Sequence, residues 1–325
     1  MSIPEDLIAF KRAFATEDDC LNYIEKLRWP NGFRCPNCEH DVGYRLNFRR
    51  LIQCAVCRHQ TSTTAGTLFH KTRIPLQNWF WIIFLVAQDK GGASASRLAA
   101  QLGMYYKTVW YILHKIRHAM ERRDERITLA GFIELDEAIV GRQARKPGRP
   151  RKNPDDTPKN SPRVKRLGQR ATDPTRRKTQ TEVVVMVERE NAHAGNLAMK
   201  VVHKTTRDDL REVTEQRVQD DRQWFKTDAL QSHYVLKSMG HTLQALRLGN
   251  TEWSVEELPV VHRAISLLKR FLMGTYHGVS PLYLQSYLHE FCFRWNRRDK
   301  QNTIYDSLLR ACALALPMFY AEVKL

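Results

Sequence analysis

Apolar and polar positions follow two different rhythms along this chain. From Leu76 to Ala87 the residues are aromatic and aliphatic almost without a break, including Trp79, Phe80, Trp81 and Phe84, which predicts a core helix. After Gly91 and Gly92, the stretches Ser94 to Gly103 and Tyr105 to Arg117 carry helical spacing on either side of a turn. Ala99, Gly103 and Val109 there fit a helix-turn-helix: a small residue where two helices touch, a turn glycine, and an apolar residue on the second helix. From Gly131 the rhythm shifts to short β-branched runs, predicting strands over Phe132 to Val140, Glu182 to Glu188, Leu197 to Val202 and Trp224 to Asp228, with a further strand over Thr242 to Leu248. Helical spacing returns over Thr206 to Val218, Glu257 to Met273 and Pro281 to Arg294. Strands mixed with helices imply an α/β domain built on a central sheet.

The first of those strands carries acids where burial is expected. Glu134 and Asp136 are two apart and share a face, whereas Glu137 points to the other. Carboxylates on a buried strand are costly unless a cation neutralises them, and a bound metal is one such cation. A second carboxylate, Asp228, ends the strand Trp224 to Asp228, where sheets of this class place ligands. On the helix opening near Glu257, His262 and Lys269 lie seven residues apart, two turns along one face.

Composition and charge narrow the partner. The chain has 325 residues, 52 Lys and Arg against 35 Asp and Glu, and a net charge of +17, which points to a polyanion, with nucleic acid foremost. Much of the excess is local: between Arg142 and Lys178 stand 14 basic residues against three aspartates, with little apolar content, which reads as a basic loop. Its segment Lys146 to Lys152 resembles an AT-hook, whose Gly-Arg-Pro core lies in a narrow minor groove; Arg149, Arg151 and Lys152 are its candidate DNA contacts. In the helix-turn-helix the candidate contacts are Arg97, Tyr106, Lys107, Thr108 and Lys115, with His114 and Arg117 on the same helix also able to reach phosphates or base edges. The longest apolar run, Trp79 to Ala87, is too short to span a bilayer, and no secretory signal opens the chain, so a soluble intracellular protein without a membrane partner is expected.

Four of the seven cysteines form two close pairs, Cys35 with Cys38 and Cys54 with Cys57, separated by 15 residues. That spacing predicts a structural Zn²⁺ held by four thiolates, the metal standing in for a core too small to hold itself. Cys20, Cys292 and Cys312 read as buried apolar residues.

In this order, the zinc ribbon, the helix-turn-helix, ELDE at Glu134 to Glu137, TD at Thr227 and Asp228, LLKR at Leu267 to Arg270, GTYHGVSP at Gly274 to Pro281 and FRWNRR at Phe293 to Arg298 resemble bacterial insertion-sequence transposases of the family fifteen-ninety-five. The resemblance runs from about Asp18 to Asp299 and implies a ribonuclease H-like mixed sheet with flanking helices, acting as a DDE-type transposase that cleaves and joins DNA strands with Mg²⁺ or Mn²⁺. Carried onto this chain, it makes Asp136 and Asp228 metal ligands, His262 the third site residue where the family usually has glutamate, and Lys269 a DNA contact. Glu256 or Glu257 is the alternative third ligand. Double-stranded DNA, as transposon ends and target, is the implied partner, with at least a dimer on DNA and a bacterial cytoplasmic, nucleoid-associated location. The implied division is 1–72 with the zinc ribbon, 73–125 helix-turn-helix, 126–300 catalytic with its basic insertion 142–178, and 301–325 a C-terminal tail. Two rival readings are a catalytically inert, transposase-derived DNA-binding regulator and an RNA-processing nuclease.

Overall fold

The computed structural model describes residues 6–141, 180–191, 193–246, 257–300 and 303–323. The basic insertion with Arg149, Arg151 and Lys152 lies outside the described residues, as does Glu256.

A helical front module comes first. It comprises α1 (Leu7–Ala13), α2 (Glu17–Arg28), α3 (Leu76–Gln88), α4 (Ala95–Leu102) and α5 (Tyr106–Asp124). Thr16 and Asp19 form a capping box that starts α2. The first free amides of α3, at Leu76 and Gln77, donate to the carboxylate of Glu17, so α2 caps its neighbour. Gly103, at φ 61, ends α4 in the left-handed conformation that lets the chain turn directly into α5. Between α2 and α3 the antiparallel strands β1 (Gly43–Leu46), β2 (Leu51–Cys54) and β3 (Gln60–Ser62) form a small sheet.

The second unit is a five-stranded sheet. Its strands are β4 (Phe132–Val140), β5 (Thr181–Glu190), β6 (His193–Val202), β7 (Trp224–Asp228) and β8 (Thr242–Leu246), in the order β6-β5-β4-β7-β8. The first three form an antiparallel meander, and β7 and β8 continue parallel to β4, giving the expected ribonuclease H-like mixed sheet. Val183 to Val187 of β5 are wholly buried, as a strand covered on both faces must be. One face is covered by α8 (Pro259–Tyr276) and α9 (Leu284–Trp295), which pack on Ala138, Val183, Val185 and Met199. On the other, α6 (Arg207–Arg217) and α7 (Val235–Ser238) pack on Ile133, Leu135, Val184 and Phe225.

The closing segment is more than the expected tail. Within it α10 (Ile304–Leu314) buries Leu308, Leu309 and Cys312 in the same core as Phe10, Phe80 and Ile116 of the front module, and the Tyr23 hydroxyl donates to Asp306 at 2.8 Å. A last short helix, α11 (Tyr320–Val323), lies against α5. Among the described residues no helix is long and apolar enough to cross a membrane.

Candidate functional site

Because β4 and β7 run parallel with Leu135 opposite Thr227, the next residues along the two strands are Asp136, in the middle of β4, and Asp228, at the carboxyl end of β7. Alternation turns Glu134 and Asp136 toward α8 and Glu137 toward the opposite face. The first turn of α8 brings His262 over Asp136, Nδ1 to Oδ2 at 3.7 Å. The imidazole's other nitrogen, Nε2, is buried without a hydrogen-bond partner among the described residues. Burial, together with the nearby charges of Glu137 and Asp228, pushes the Asp136 carboxyl up to about 6 against the pull of the Glu137 amide and His262. Carboxylate and imidazole are the donor types a divalent cation takes, but among the described residues Asp136, Asp228 and His262 do not form a group with donor atoms all within 4.8 Å of one another.

A second cluster adjoins the first. His233, wholly buried, has Nε2 at 2.6 Å from Glu137 Oε1 and Nδ1 at 3.1 Å from Asp228 Oδ1. Burial opposes its charge, yet the bonds and charges of the two carboxylates prevail and push the imidazole up to about 9. In turn, although burial raises it, His233 holds the Asp228 carboxyl below its ordinary value. Donor atoms of Glu137, Asp228 and His233 all lie within 4.8 Å of one another. Sequence reasoning missed Glu137 and His233 as site neighbours. The only signal was that Glu137 follows Asp136 and that a histidine stands five residues after Asp228.

The other expected participants fall variously. Glu134 is fully buried, and its cation is Arg189, at 3.0 Å, while its second oxygen accepts from the Val260 and Val261 amides. A metal is not needed to neutralise it. Glu257 is half exposed and paired with Lys226 at 2.6 Å. Lys269 is exposed on α8.

In the ribbon, Cys35 and Cys57 approach to 3.6 Å between sulfurs, and Cys38 and Cys54 to 3.5 Å. Both knuckles have the same build, since the residue after each second cysteine, Glu39 or Arg58, sits at positive φ, 60 and 55. The amide of His59 leads in holding the Cys57 thiol down to about 6, while, against the His40 amide, the bond with Cys57 pushes Cys38 up to about 12, so the close sulfurs share protons that a metal would displace. Four converging sulfurs are the donor set of a tetrahedral Zn²⁺.

Of the expected DNA contacts, Tyr106 and Lys107 are exposed at the start of α5, with Thr108 half-buried beside them. Arg97 is exposed but paired with Asp89. Lys115 does not face solvent: it is buried, its ammonium 4.9 Å from the Tyr111 ring centre, and burial lowers its pKa. His114 and Arg117 are likewise interior, Arg117 bound to Glu290 at 2.8 Å. The cause is packing from several sides: α9 covers His114 and Arg117, α3 meets Lys115 through Trp79, and α5 stays exposed at Tyr106 and Lys107 at its start and at Arg122 and Arg123 at its end.

Residues 128–296, more than half of the chain, match the ISXO2-like transposase domain, and residues 15–60 match the transposase zinc-ribbon domain. No curated protein matches the chain. Among solved structures, the crystal structure of a pre-cleavage Mos1 transpososome aligns at 12% identity and TM-score 0.27, covering 70% of this chain and 76% of that one. The Mos1 mariner paired-end complex with Mn aligns at 13% identity and TM-score 0.29, covering 72% and 78%.

Proposed function

The chain belongs to the insertion-sequence transposases that share the ISXO2-like domain, and from that premise we propose that it binds transposon ends and catalyses metal-dependent strand cleavage and strand transfer. The observation that carries this reading is Asp136 in the middle of the central strand, one step beyond the last β4–β7 pair as Asp228 is, with His262 at 3.7 Å. Asp136, Asp228 and His262 would hold Mg²⁺ or Mn²⁺, and imidazole favours Mn²⁺. Such ions supply Lewis-acid activation of water and then of a 3′-hydroxyl, and stabilise charge on the leaving oxygen. The chain's own groups orient the site: His233 fixes one oxygen of Asp228, Glu137 fixes His233, and Lys269 steadies a phosphate.

In the front module Cys35, Cys38, Cys54 and Cys57 would hold a structural Zn²⁺, and Tyr106, Lys107 and Thr108 would meet double-stranded DNA, with Arg97 at the rim and Arg149, Arg151 and Lys152 of the insertion adding contacts. Two ends held together require at least a dimer, and such a protein acts in the bacterial cytoplasm at the nucleoid. Asp136→Asn and Asp228→Asn should each abolish cleavage of DNA bearing the transposon ends in Mg²⁺ or Mn²⁺ while leaving end binding largely intact. Undiminished cleavage by both variants would refute the site. The specific feature favouring a second reading, an inert DNA-binding regulator, is His262 at the third position, and end binding without any metal-dependent nicking by the unaltered protein would establish it.

A further inference from the structure

One residue past His262 on α8, a recess of about 1170 Å³ opens between the front module and the α/β domain. Its walls are the exposed side of α8, the turn after α3, α9, and the β5–β6 hairpin. The recess is preformed, because the turn after α3 is tied to the far wall. Thr275 Oγ1 donates to the Gly91 carbonyl at 2.5 Å, and Arg294 donates to the Asp89 and Val86 carbonyls at 2.7 and 2.9 Å.

Five cations line it against Glu190 and Asp299. Two of the five are occupied, Arg294 with Glu290 and Arg298 with backbone carbonyls and Asp299. The other three, Lys90, Arg263 and Arg270, are exposed and have no hydrogen-bond or ion-pair partner among the described residues. Like charges gathered in one concavity repel unless an anion lies among them. Arg263 and Arg270 stand seven residues apart on one side of α8, about 10 Å along its axis, so they can follow successive phosphates of one strand. Leu267, between them, and the edge of Phe271, just past Arg270, give an apolar floor suited to sugars and base edges.

We infer that this recess binds a single, unpaired DNA strand running away from the cleavage centre, a proposal that rests on the transposase reading. A duplex, stiff over about 150 base pairs, can touch only the rim of such a concavity, whereas one strand can bend into it. A cationic groove beside aromatic and apolar walls is the chemistry that single-strand sites use. The strand would leave the Asp136 and His262 region and pass Arg263 first, then Arg270, with Lys90 facing it from the opposite wall.

The test is fluorescence anisotropy of a labelled short oligothymidylate and of a fully paired terminal-repeat duplex, at a series of salt concentrations, with full-length protein and no added Mg²⁺ or Mn²⁺. Arg263→Gln, Arg270→Gln and Lys90→Gln should each weaken the oligothymidylate severalfold and lower the salt slope by about 0.7, while duplex affinity changes by less than about twofold. Arg263→Lys and Arg270→Lys should restore most of the loss, which separates charge from folding defects. No binding of oligothymidylate by the unaltered protein, an unchanged slope in the combined Gln variant, or an equal loss of duplex would overturn the proposal. Failure of the transposase reading is distinct: the unaltered protein would then neither bind the terminal duplex nor cleave it.

Discussion

Asp136 is held in a setting hostile to its own charge. Its side chain is 17% exposed, and burial, with the charges of Glu137 and Asp228 nearby, pushes its carboxyl up to about 6 from an ordinary 3.8. Between those values the folded protein binds the extra proton, so stability contributed by the protonated form is present at low pH, is lost as pH rises through about 6, and stays lost above it. In chelator, Asp136→Asn should therefore stabilise the protein at pH 7.5, by on the order of 2–3 kcal/mol, and give no gain at pH 3.5. Thermal unfolding at the two pH values checks this, and a variant no more stable than its parent at pH 7.5 would show that the carboxylate is not strained. His233 has the same pH sense for a different reason: against its burial, Asp228 and Glu137 support its charged form up to about 9, so its contribution to stability is present below an ordinary imidazole's 6.5 and is lost as pH rises through about 9. That Asp136 and Asp228 would sit on adjacent strands, with His262 above Asp136, was legible from strand alternation, from helical spacing and from the family resemblance. His233 was not, because it lies in an irregular turn after β7, where no periodicity tells a reader which way a side chain points.

At the scale of elements, the start of α8 decides where His262 stands. Pro259 occupies the first turn and brings no N–H, and no side chain of the preceding segment caps the helix. Glu134 of β4 does so instead, accepting from Val260 and Val261 at 2.8 and 2.9 Å, with Arg189 of β5 balancing its charge. This ion pair, buried at Glu134 and partly exposed at Arg189, thus fixes helix to sheet one residue before His262. Glu134→Gln should lower stability by about 3 kcal/mol, since it leaves Arg189 without its partner, and adding Arg189→Met should recover part of the loss. A double-mutant cycle in urea measures both; additive losses would mean that the two residues act separately. The strand's alternation made Glu134 buried in the reading of the sequence, but not what neutralises it. Its partners lie 55 and 126 residues away, and only the folded sheet brings them together. Distance in sequence also explains α5, whose basic residues read as a DNA face until α9 covers its middle and turns Arg117 into a partner of Glu290.

For the whole molecule, α9 is the shared wall between the two large cores. Phe293 faces the front module, whereas Phe291 and Trp295 face the α/β sheet. Glu290, deeply buried, binds Arg117 of α5 on one side and Arg294 of its own helix on the other. Helix α10 then carries the chain back to the beginning, packing Tyr305 against Phe10 and Leu308 among the front helices. A sequence read segment by segment sees residues after 300 as an appendage, because nothing local says which distant helices their apolar face will meet. The consequence is mechanical coupling: weakening α10 must be felt beyond the front module, because α9 cannot lose one core without exposing part of the other. Leu308→Ala, at a site with no exposure, should cost about 2–5 kcal/mol. It should lower one common unfolding midpoint rather than split the transition, and far-ultraviolet circular dichroism overlaid on tryptophan fluorescence would tell the two apart. Two separated transitions would mean that Glu290 and its arginines join the modules without making them unfold together.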